Sequence, residues 1–116
     1  MPTFEKSPPE LVARFDAVAA SHPAAQRRSM FGHPALFIGG NYATGLFAHR
    51  WLVRLGAADV ADALALEGAG PFSPMPDRAP MTGWVMLPDS VVADDAALDA
   101  WLSRALEFAA SLPAKA

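Results

Sequence analysis

Three histidines, at positions 22, 33 and 49, are the first residues to test for chemistry. None lies within helical ligand spacing of another, and a zinc site needs three or four converging donors. His22 and His49 fall at a helix end and in a turn. His33, directly after Gly32, is the best lone candidate for a polar functional group. The chain has no cysteine, so thiolate chemistry and disulfides are excluded. Serines at 7, 21, 29, 73, 90, 103 and 111 stand in no nucleophile-elbow pattern. Gly68-Ala69-Gly70-Pro71 has the glycine content of a phosphate loop, but it follows a helix and Pro71 lacks a donor N–H. Asp94, Asp95 and Asp99 sit at a helix start, where capping explains acidic groups better than acid–base catalysis. These residues call for no catalytic set, no cofactor and no metal.

Charge narrows the partners. The net charge is -3 over 116 residues. Basic residues prevail in the first half (Lys6, Arg14, Arg27, Arg28, Arg50, Arg54), and acids in the second. Arginines 27, 28, 50 and 54, with Phe31 or Trp51 beside them, would make a base-stacking platform. The acidic balance opposes that reading, so direct nucleic-acid binding is not expected. No apolar run reaches the ~18 residues of a membrane span. The first residues lack the apolar core of a secretory signal, which gives a cytoplasmic expectation.

The elements that must position these residues are read from periodicity. Ser7-Pro8-Pro9-Glu10 predicts a capped helix start, followed by Leu11, Phe15, Val18 and Ala19 on one face. Ala24 to Ser29 reads as a connector. Strands follow at Ala35–Ile38, Tyr42–Phe47 and Trp51–Leu55, joined by Gly39-Gly40-Asn41 and Ala48-His49-Arg50. In the second strand Tyr42, Thr44 and Leu46 should share a face, and Gly45 signals a bulge or a close backbone approach. A helix over Ala57–Glu67 precedes a proline-rich loop with a short edge strand near Pro71 to Pro74. Thr82 to Leu87 is a central strand, and Asp94 caps the last and longest helix. The order α-β-β-β-α-(β)-β-α makes an α+β fold: a mostly antiparallel sheet of four to five strands with three helices, in one domain over 1–116.

RSMFG at 28–32, the Leu36-Phe37 strand, Gly45-Leu46 with WLVRL, the GPFSPM loop and GWVMLPD together resemble the N-terminal domain of the TfoX/Sxy family. The resemblance covers roughly Arg27 to Leu112. It implies a secretion-chaperone-like architecture and a regulatory role, since the competence regulators act through a transcription factor at promoters. It carries over no catalytic residue, and the second, helical domain of full-length regulators is missing from this sequence. The expected function is therefore a non-catalytic protein-interaction domain, an accessory of transcription regulation, with a protein partner or a second copy as its binding mate. Arg27, Arg28, His33, Arg50 and Arg78 are the candidate surface, together with the exposed face of the sheet and the Phe72–Met81 loop. The alternative is a small-molecule-binding or enzymatic pocket between that loop and the sheet, holding His33 or Arg78.

Overall fold

A computed structural model describes residues 7–30, 32–72 and 82–114. Within them lie α1 (Pro9–Ala20), β1 (Gln26–Met30), β2 (His33–Ile38), β3 (Asn41–Phe47), β4 (Arg50–Arg54), α2 (Ala57–Leu64), β5 (Gly70–Pro71), β6 (Trp84–Leu87), α3 (Asp89–Val92) and α4 (Asp95–Ser111). The α+β class is as expected. The strands form one antiparallel sheet of order β1-β2-β3-β4-β6-β5. Two elements exceed the expectation. Gln26–Met30 is a strand rather than a connector, and a four-residue helix, α3, precedes α4.

Local sequence explains most boundaries. Gly39 and Gly40 both take positive φ (58° and 82°), the requirement of a two-residue hairpin whose twist matches its strands. The β3–β4 turn instead places Ala48 at φ 55°, a conformation that costs an alanine roughly 1–2 kcal/mol. Asp94 caps α4 as expected, its Oδ1 accepting the Ala97 N–H at 3.1 Å. Ser7 does not cap α1. Pro8 occupies the N-cap and Pro9 starts the helix, which leaves Ser7 one residue outside and Glu10 one residue short of the capping-box position.

The main core lies between the sheet and the helices. Phe15, Leu36, Leu46, Trp51, Val53, Leu55, Val85, Leu98 and Leu102 are fully enclosed there. Trp51 is held by more than packing. Its indole N–H donates to Thr44 Oγ1 at 3.0 Å, and that hydroxyl donates to the Leu52 carbonyl at 2.6 Å. Every polar atom of this buried group thus has a partner, as low-dielectric burial demands.

One expected face assignment is overturned. The β2–β3 register shifts between Leu36 and Phe37, which pair with Thr44 and Tyr42. Ala43 is the extra residue of this bulge, so it and Thr44 both face the helices. Tyr42 is thereby turned to the opposite face, where it joins Leu52, Phe72, Trp84, Phe47 and Met86. Gly45 shows why no larger residue stands beside it: a Cβ there would collide with the Tyr42 hydroxyl and lie 3.0 Å from the Pro34 carbonyl oxygen.

Candidate functional site

The second sheet face is aromatic rather than solvated. Phe37 stacks on Tyr42 at 5.1 Å between ring centroids, Tyr42 meets Trp84 edge-on at 4.6 Å, and Phe47 meets Phe72 at 5.4 Å. Phe37, Leu52, Phe72 and Trp84 are buried. Burial also pushes the Tyr42 hydroxyl up to about 12 by disfavouring its charged form. This is packing geometry, with offset and edge-on contacts of the usual kind.

His33 belongs to that face and is only 4% exposed. Its ring packs on Phe47 at 5.3 Å, and its Nδ1 shares a hydrogen bond with Ser7 Oγ at 3.3 Å. It anchors the segment leading into α1. The expected pocket beside the proline-rich loop involves Arg78 and residues 73–81, which lie outside the described residues.

The other basic candidates do not gather into one patch. Arg27 turns toward α1, its Nε donating to Asp16 Oδ1 at 3.1 Å. Arg28 turns to the aromatic face, its guanidinium 5.2 Å from the centre of the Phe37 ring. Arg50 lies on β4, with two strands between it and β1, and donates from Nη1 to Met86 Sδ at 3.4 Å. Arg54, at the end of β4, lies over the Phe108 ring of α4 at 5.9 Å. Trp51 is buried against Phe15 and offers no face for stacking a base.

Arg50 does help line a cleft of about 550 Å³ with His49, Glu67, Met86, Asp89 and Ser90. Its groups carry both signs of charge. Among the described residues no cluster of three or more histidines or carboxylates can hold a metal, and no helix is long and apolar enough to cross a membrane.

What sequence reasoning missed is β1 itself, the element that carries Arg27 and Arg28. Residues 26 to 29 are all exposed, so no apolar alternation announces a strand. The available signal was the two-residue link between Met30 and His33, ending in a glycine at φ 80°, which suits a hairpin. β1 pairs along its whole length with β2 and forms one edge of the sheet. The opposite edge, β5, has two residues, one of them a proline.

Among known protein families, the TfoX N-terminal domain matches residues 16–109. The chain belongs to this family. The matched region of this TfoX N-terminal domain runs from within α1 nearly to the end of α4, so it includes both sheet edges and both faces. Comparison with curated proteins and with solved structures gives no match.

Proposed function

We propose that this TfoX N-terminal domain is a non-catalytic protein-interaction module, an accessory of transcription regulation working through protein contacts in the cytoplasm. The observation that carries the reading is the β1 edge. It is five residues long, its side chains from Gln26 to Ser29 are exposed, and it bears two adjacent arginines. Long open edges are usually shortened or covered, because their free N–H and C=O groups recruit other chains. Here one edge is blunted by Pro71, whereas the other is left open among the described residues.

The regulatory part of the proposal rests on the family resemblance; the interaction part rests on the edge. Affinity capture from a native lysate, comparing wild type with Arg27→Glu/Arg28→Glu, tests it. Both side chains are exposed and the Arg27–Asp16 pair lies at the surface, so the variant should fold with only a small loss of thermal stability. Partners retained by wild type and lost by the variant are expected. Identical profiles would remove this surface from consideration.

A further inference from the structure

The hydrogen-bonding parity of β1 fixes which of its backbone groups face outward. In an antiparallel pair, opposed residues alternate between those that exchange both hydrogen bonds and those that exchange none. Ser29 is opposite Pro34, which has no N–H to give. Met30 and His33 close a two-residue link and take the hydrogen-bonded position of such a hairpin. Arg28 with Ala35 and Gln26 with Phe37 are then bonded pairs as well. Arg27 and Ser29 direct their N–H and C=O groups away from β2, and among the described residues neither makes a backbone hydrogen bond outside the strand ladder.

The two arginines flank this edge on opposite faces. Arg27 is opposite Leu36 on the helix side and reaches Asp16, while Arg28 lies over Phe37 on the aromatic side. We propose that the β1 edge takes an extended acidic peptide segment as an additional antiparallel strand. This deepens the interaction reading and rests on it. Arg27 and Ser29 would supply the backbone bonds. Successive peptide side chains alternate between faces, so two neighbouring acidic residues would meet Arg28 on one face and Arg27 on the other. Arg28 has no ion-pair partner among the described residues, so a carboxylate there displaces none. A second copy of this chain is a poorer occupant. The register that overlaps all of β1 with its symmetry mate sets Arg28 against Arg28, and like charges directly opposite are destabilising.

Amide hydrogen exchange on the wild-type chain tests the proposal, with a short synthetic peptide of valines and threonines around two adjacent glutamates as the probe. At a peptide concentration near ten times the dissociation constant, exchange at Arg27 and Ser29 should slow roughly tenfold, while Arg28, already bonded to β2, stays unchanged. Replacing the two glutamates by lysines should weaken binding by about tenfold or more. Ser29→Pro removes an outward N–H that β2 does not use, a substitution edge strands tolerate, and should also lose the peptide. Absence of binding, or binding without slowed exchange at Arg27 and Ser29, overturns strand addition. So does concentration-dependent protection of those amides by self-association. If the peptide fails while lysate partners still depend on Arg27 and Arg28, strand addition falls and the interaction reading stands. If the lysate profiles are also identical, both fall.

Discussion

Tyr42 shows how one extra residue redirects a side chain. Without the bulge at Ala43, simple alternation would send the phenol into the helix-side core. With it, the ring stacks on Phe37 and its hydroxyl passes over Gly45. Burial holds the hydroxyl neutral up to about 12 against an ordinary value of 10.0. A raised folded value means that the unfolded chain releases this proton first. Stability from this group is therefore present below pH 10 and is lost as pH rises from 10 towards 12, by roughly 2 kcal/mol at the upper end. Tyr42 is the sole tyrosine, so near-ultraviolet spectrophotometric titration reads it without overlap from another phenol. A midpoint near 12 in the folded protein and near 10 in denaturant is expected; a folded midpoint at 10 would contradict the burial.

At the scale of elements, legibility followed the physical signal each segment carries. β2, β3, β4 and β6 were readable because large apolar residues and glycine turns bound them. α4 was readable from Leu98, Leu102 and Ala105 at helical spacing behind an aspartate cap. β1 was not, because its edge position asks for pairing rather than burial, and QRRSM advertises only polarity. Tyr42's face was not legible either: Gly45 signalled a bulge or a close approach in this strand, but only the pairing with β2 shows that Ala43 is the extra residue and that Tyr42 is therefore turned. Of the candidate surface, Arg27 and Arg28 were named from charge, but their opposite faces and the outward amides beside them required the β1–β2 register. The caps make the same point. Ser7 and Asp94 look alike in sequence, yet only Asp94 binds its helix. Asp94→Ala should therefore lower stability by about 1 kcal/mol, whereas Ser7→Ala should leave α1 intact. Equilibrium urea unfolding of Asp94→Ala checks the cap, since Ser7→Ala also breaks the hydrogen bond to His33; no loss of stability on Asp94→Ala would contradict it.

For the whole molecule, the question is whether α1 is an appendage or part of the cooperative core. Phe15 decides it. The side chain is fully buried, its ring 5.1 Å from Trp51, and Trp51 is itself fixed through Thr44 to the strand ladder. Arg14 adds a polar tie, its Nε donating to the Val92 carbonyl at 2.7 Å, and His22 lies 3.1 Å from Asp99 of α4. α1 is thus joined to the sheet through Phe15 at its centre, and to the helical layer through Arg14 beside it and His22 just past its C-terminus. The Arg27–Asp16 pair further connects it to the β1 edge, so the proposed docking strand is backed by the core and does not hang from it. Phe15→Ala should remove roughly 3–5 kcal/mol, a large share of the 5–15 kcal/mol typical of a domain this size. Because the helix unfolds with everything else, the urea midpoint should fall while the transition stays single and its slope unchanged. A loss below about 1 kcal/mol, or a second transition at low urea, would mean that α1 is a separable unit; the edge strand would then have only β2 to hold it in place.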